Sequence, residues 1–142
     1  MKIVLDTNVL ISALLWRGLP NKILKLIEDG KLNLCINEFI LEELFNILQR
    51  RKFKYRIKEL NTSVEELIVG ILEISEIFPN VQIPPVVKDD LDDNWILSCA
   101  LVSKSKYIVT GDPHLLKIKK FHNIFILTPR KFLSSLSFSP SL

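Results

Sequence analysis

Four carboxylates stand out among the sixteen acids of the 142-residue chain because of where the apolar pattern puts them. Asp6 directly follows Ile3-Val4-Leu5, and Asp112 follows Tyr107-Ile108-Val109 after only Thr110-Gly111. In an open parallel sheet with helices on its faces, ligands bind beyond the carboxyl ends of the strands. Both acids are therefore expected at the binding edge. An Asp after a strand also caps the next helix, and for either residue alone capping is a sufficient account. Two at equivalent places ask for more.

Helical phase picks out the other two, at about 100° per residue. On a helix capped by Asn37 and running to about Arg50, residues Ile40, Leu41, Leu44, Phe45, Ile47 and Leu48 share one broad apolar face. Glu42 falls with Asn46 and Gln49 on the polar side, whereas Glu43 sits at the margin of the stripe. On a helix beginning around Asp90–Asp92 and reaching Ser103, Asp93 shares its face with Ile96, Leu97 and Ala100, while Asp92 points a quarter turn away toward Cys99 and Ser103. An acid in the first turn complements the positive helix N-terminus, but that does not explain an inward direction. A carboxylate against apolar surface is costly without a partner.

Four carboxylates converging on one edge repel one another unless a positive charge sits among them. A hard divalent cation with oxygen ligands, Mg²⁺ or Mn²⁺, answers that need. Such an ion orients and activates a water and neutralises a phosphodiester during in-line attack. Asn8 and Thr110 stand beside the acids. Asn8 is expected to fix Asp6 or meet substrate, and Thr110 to hydrogen-bond a ligating acid; ordinary turn and cap chemistry explains both equally well.

The elements that must hold these residues read as α/β. Candidate strands are Lys2–Leu5, Leu32–Ile36, 81–83, Tyr107–Val109 and Asn123–Leu127. Between them lie helical stretches. Pro20 opens one that runs to about Asp29, with Gly30 as its stop. Ser63 and Glu66 form a capping box for another ending near Ile77, and Thr128-Pro129 opens the last. Alternating strands and helices predict a mostly parallel sheet covered on both faces, and the continuously apolar strands agree. Residues 1–136 are expected to form one domain and 137–142 a flexible tail.

Composition narrows the class. Apolar residues make up 48% of the chain and net charge is +3, a weak hint of an anionic partner. No apolar run approaches the ~20 residues of a membrane helix, and Asp6 interrupts the N-terminal run too early for a secretory segment. A cytoplasmic protein is expected. Cys35 and Cys99 read as small buried hydrophobes, and with only His114 and His122 besides, no zinc pattern emerges.

Taken in series, four segments resemble the acidic motifs of PIN domains. They are Ile3-Val4-Leu5-Asp6-Thr7-Asn8, Ile40-Leu41-Glu42-Glu43-Leu44, Asp90-Leu91-Asp92-Asp93-Asn94 and Ile108-Val109-Thr110-Gly111-Asp112. The resemblance runs to about Pro129; Leu91 stands where many relatives carry Pro. It implies a Rossmann-like three-layer α/β/α sandwich with a sheet of about five strands. It also implies metal-dependent endoribonuclease activity and, for many relatives, a role as the VapC-like toxin of a toxin–antitoxin pair. By position it assigns the catalytic and metal-binding acids to Asp6, Glu43, Asp93 and Asp112, with Asp90 accessory.

RNA contact needs cations. Residues 50–58 carry six of them, with Phe53 and Tyr55 interleaved, a composition suited to phosphate contact and base stacking. Arg51, Lys52 and Lys54 are the candidate substrate contacts, joined by Arg17 in the loop after the first helix; a solvated surface with Phe53 packed inward explains the block equally well. Expected partners are RNA, a cognate antitoxin and a second copy of the chain. Alternatives are an RNA-processing nuclease outside any toxin pair, or a catalytically silent RNA- or protein-binding domain. Haloacid dehalogenase-type phosphatases want a second Asp where Asn8 stands, and receiver domains want paired acids after the first strand, which are missing.

Overall fold

A computed structural model describes residues 1–136; the expected tail at 137–142 lies outside them. In chain order the elements are β1 (Lys2–Leu5), α1 (Thr7–Leu15), α2 (Leu19–Glu28), β2 (Asn33–Asn37), α3 (Glu38–Leu48), α4 (Arg51–Glu59), α5 (Val64–Ile74), β3 (Ser75–Phe78), α6 (Asp93–Ser103), β4 (Tyr107–Val109), α7 (Pro113–Leu116), β5 (Lys120–Phe121), β6 (Ile124–Leu127) and α8 (Pro129–Ser135). They build a three-layer α/β/α sandwich. Its six-stranded sheet has the order β3-β2-β1-β4-β6-β5, parallel except for the short hairpin of β5 on β6.

That order reverses direction at β1. From β1 the chain steps outward through β2 to β3, then returns across them to β4 on the other side of β1. With right-handed crossovers, outward and return connections lie on opposite faces of the sheet. The reversal also opens a crevice at the carboxyl ends of β1 and β4, which pair Ile3↔Tyr107, Val4↔Ile108 and Leu5↔Val109. Asp6 and Thr110 are the residues that emerge there.

The core is the central strands and the helix faces against them. Ile3, Val4, Leu5, Ile36, Leu97, Ala100, Ile108 and Val109 are all fully enclosed. Cys35 and Cys99 are buried free thiols, and burial, with the neighbouring Cys35 adding, pushes the Cys99 thiol up to about 12. They are inert filling. Gly30 adopts φ +79° just past α2, the left-handed position that a β-carbon disfavours.

Four expectations need correction. The strand expected at 81–83 is absent; the outer strand is Ser75–Phe78, paired in register with Leu34–Asn37. Ile71, Ile74, Ile77 and Phe78 keep helical spacing, which is why the sequence predicts a helix as far as Ile77. Pairing with β2 instead ends α5 at Ile74, and Pro79, lacking an N–H, ends the strand. The helix expected from Asn37 to Arg50 ends at Leu48, and the basic block forms a separate helix, α4. Phe45, expected on the apolar face, is 39% exposed.

Candidate functional site

Each acid reaches the crevice by a different local device. Asp6 caps α1: its Oδ1 accepts the Val9 N–H at 2.9 Å, and its Oδ2 accepts the Thr110 hydroxyl from the neighbouring strand end. Asp112 caps α7 by accepting the His114 N–H at 2.7 Å, and its own N–H donates to Thr110 Oγ1 at 2.9 Å. Thr110, fully buried, therefore ties the two strand-end acids together. Both acids do serve as caps, and each also lines the pocket.

Glu43, half-buried on α3, accepts the Thr7 hydroxyl at the first turn of α1. Asp93 opens α6 and is 8% exposed. Its placement rests on two asparagines. Buried Asn37 accepts the Ile40 N–H at 2.9 Å and donates to the Trp95 carbonyl at 3.0 Å, joining the end of β2 to α6. Asn94 accepts from the Val86 and Val87 N–H groups and donates to the Val87 and Leu91 carbonyls, so one amide pins the segment before α6. Asp90 closes that segment by accepting the Asp92 N–H at 3.2 Å.

Asp6, Asn8, Glu43, Asp90, Asp93 and Asp112 all line one cavity of about 130 Å³. Ligand atoms of three of these, Asp90, Asp93 and Asp112, and of the neighbouring His114 lie within 4.8 Å of one another. Asp6 and Glu43 border the same space with their carboxylates engaged by Thr110 and Thr7. Asp92 also lines it, contrary to the phase reading. It precedes the first residue of α6, so the helical wheel does not govern its direction.

The electrostatics fit a cation. Burial raises the proton affinity of Asp6 most, with the charges of Asp112 and Glu43 adding, against the lowering effect of the Thr110 and Val9 hydrogen bonds. Asp93 is pushed up to about 8, first by burial, then by the facing Asp112 carboxyl, with which it shares a proton when protonated. The charges of Asp112, Asp90 and Asp6 add to this. Ionised, Asp93 leaves its Oδ2 buried with no hydrogen-bond partner, alone in this among the side-chain atoms of the described residues. An orphaned carboxylate oxygen among three further ligand groups is what a divalent ion would satisfy.

The basic candidates are elsewhere. Arg17 follows α1 at the end opposite Asp6, about 13 Å of helix away, and lines a groove that shares no residue with the acid cavity. Arg51, Lys52 and Lys54 are exposed on α4 and are not among the residues lining the acid cavity. Thr7, Asn94 and His114 were not singled out by sequence reasoning. Thr7 lies inside the first motif and His114 two residues past Asp112, so adjacency to a flagged acid was the available signal.

Comparison with known proteins agrees with the fold. A family model described as PIN domain matches residues 2–114. The chain is 34% identical, over 94% of its length and 90% of the relative's, to an uncharacterized protein of Methanocaldococcus jannaschii. Among solved structures it resembles VapBC2 from Rickettsia felis, bound to a DNA fragment from its promoter, with TM-score 0.59 and 17% identity, covering 89% of this chain and 97% of that one. It also resembles the PIN domain endonuclease Utp24, with TM-score 0.52 and 22% identity, covering 89% and 84%. At those identities the two structures speak to the fold alone.

Proposed function

The chain belongs to the PIN domain family, and on that premise we propose that it is a Mg²⁺- or Mn²⁺-dependent endoribonuclease, the toxin of a toxin–antitoxin pair. The observation that carries the nuclease reading is the convergence of Asp90, Asp93, Asp112 and His114 beside Asp6 and Glu43, with the Asp93 Oδ2 unsatisfied at its centre. The fold neighbours are named for an endonuclease and for a VapBC complex, and both meanings come to this chain only as our reading.

Asp93 and Asp112 are the residues we assign to hold the ion, with Asp90 and His114 completing the set and Asp6 and Glu43 closing the pocket. When bound, the ion lowers the pKa of a water and neutralises charge on the phosphodiester. Asp6, fixed by Thr110 and the Val9 N–H, keeps one geometry and so can orient that water. Glu43, held by Thr7 across the gap between α1 and α3, bounds the pocket on the other side. Asn8, exposed at its mouth, is positioned to meet the substrate. No helix among the described residues is long and apolar enough to cross a membrane.

Purified protein should cleave a structured RNA with Mg²⁺ or Mn²⁺, stop with EDTA, and lose activity with Asp6→Asn. Equal cleavage by wild type and variant would sink the assignment. Toxicity has its own test. Expression should slow growth only while Asp6 is intact, and an unaffected culture would favour RNA processing instead.

A further inference from the structure

A groove of about 580 Å³, separate from the acid pocket, has Trp16, Arg17, Lys22, Lys25, Arg56 and Leu60 among its lining residues. It lies where the C-terminal end of α1, the first turns of α2 and the end of α4 meet. Four of its ten lining residues are cations, and none is an acid. Arg17, Lys22 and Lys25 are exposed and take part in no ion pair among the described residues. The first acid along α2 is Glu28, about a turn beyond Lys25.

Trp16 is built into this site as an aromatic platform. It is 44% exposed, the Phe53 ring meets it edge-on at 6.0 Å, and the Arg56 guanidinium lies 6.0 Å from its centroid. Arg56 is itself anchored by donating from Nε to the Leu15 carbonyl at 2.7 Å. Both residues are thus held in place with much of the indole still open to a ligand. Cations that follow a backbone around an exposed aromatic are the elements of single-strand recognition.

The groove and the acid pocket share no lining residue but lie at the two ends of α1. Asn8 lies in the first turn of α1, and Trp16 is the residue that ends it, in extended conformation. Asn8 lines the acid pocket and Trp16 the groove. The two sites therefore sit at opposite ends of α1, whose length is about 13 Å, or about four nucleotides at duplex spacing.

We propose that this groove binds the single-stranded RNA that flanks the scissile phosphate, with Trp16 stacking on a base and Arg17, Lys22 and Lys25 meeting phosphates. The inference rests on the nuclease reading for its substrate, and it adds a second contact region remote from the acids. An acidic protein segment would also find cations here, but the exposed indole and the short span of α1 to the acid pocket favour a nucleic-acid strand.

Binding is measured in EDTA, so that cleavage plays no part, with a labelled oligouridylate of about twelve nucleotides. Intact protein should bind it with a steep salt dependence. Replacing Arg17, Lys22 and Lys25 together by Gln should lower the slope of log affinity against log salt by about two, near 0.7 per lost phosphate contact. Trp16→Ala should weaken binding about fivefold or more, whereas Trp16→Phe should keep most of it. In Trp95→Phe protein, where Trp16 is the remaining tryptophan, the oligonucleotide should quench fluorescence. An unchanged slope in the triple variant would overturn the proposal. So would an oligoglutamate peptide that binds the groove while RNA binding ignores all these changes, which would identify a protein partner instead. Groove-dependent binding without any cleavage in Mn²⁺ would leave this inference standing and remove the nuclease reading; cleavage insensitive to the groove would do the reverse.

Discussion

The acid pocket and the basic helix α4 carry opposite charge and are held in opposite ways. Asp6 and Asp93 are buried, come from elements far apart in the chain, and are fixed by Thr110, Asn37 and Asn94. Arg51, Lys52 and Lys54 come from one short stretch, are exposed, and are fixed by no side-chain partner except the ring of Phe53 near Lys52. Solvated cations cost little to keep. Buried carboxylates that repel one another cost a good deal, and such an arrangement persists where something positive offsets it. A dense cluster of surface charge is therefore weak evidence of function, and a buried cluster is strong evidence.

Asp93 is where that contrast breaks most visibly if it is wrong. In the proposed enzyme, Asp93→Asn should lower RNA cleavage by roughly 10²–10³-fold or more and weaken Mn²⁺ binding measured by calorimetry. It should also change the metal-free protein in the opposite sense. The folded-state pKa is about 8 against 3.8 for the unfolded carboxyl. The folded form therefore binds the proton more tightly. The stability this contributes is fully present below about pH 4 and is lost as pH rises through about 8. Metal-free wild type should thus lose stability across that window relative to Asp93→Asn. Near pH 9 the variant should melt higher, by roughly 2 kcal/mol of stability, the scale of a buried unsatisfied polar group. Added Mn²⁺ should close the gap by raising only the wild type. Parallel melting profiles of the two proteins from pH 4 to 9 would show that Asp93 carries no such burden.

What could be read from the sequence divides along the same line. Asp6 and Asp112 were legible because an apolar strand ends just before each. Glu43 and Asp93 were legible because a buried stripe makes the direction of a charged residue informative. Asp92 was misread because helical phase was applied to a residue that precedes the helix. The outer strand was misplaced because Ile71, Ile74 and Ile77 fit a helix locally, and only pairing with β2, some forty residues away, decides otherwise. The placement of Arg17 and of α4 was not legible at all. An exposed cation leaves no trace of burial in the pattern, so its type could be read but not its neighbours.

Thr110 sharpens the comparison from the uncharged side. Its hydroxyl donates to Asp6 and accepts from the Asp112 N–H, so it acts on both strand-end acids without being a ligand group. Thr110→Val keeps the shape of this fully buried residue and removes both bonds. Metal affinity or activity should fall about 10–100-fold, as when the hydrogen-bond partner of a metal-ligating group is removed. The fold should survive with a loss of about 1–3 kcal/mol for the unpaired groups. If Mn²⁺ affinity is unchanged while the protein is simply less stable, Thr110 is packing and not a positioning residue.

The smallest effects are expected on α4. Arg51→Gln, Lys52→Gln and Lys54→Gln replace exposed side chains, so each should leave stability within about 0.5 kcal/mol. If these residues meet RNA phosphates, each substitution should reduce the salt dependence of RNA binding by up to about 0.7 in slope and leave the turnover of bound RNA unchanged. A uniform loss across RNA sequences, seen as a higher KM at constant kcat, is the mark of a contact that holds the backbone. A loss of kcat would mean that α4 shapes the acid pocket, and the separation between a costly buried site and a cheap solvated one would fail at its weaker end. Substitutions without effect on either quantity would make the six cations of residues 50–58 a solvated surface, leaving the cations around Trp16 to bind the strand.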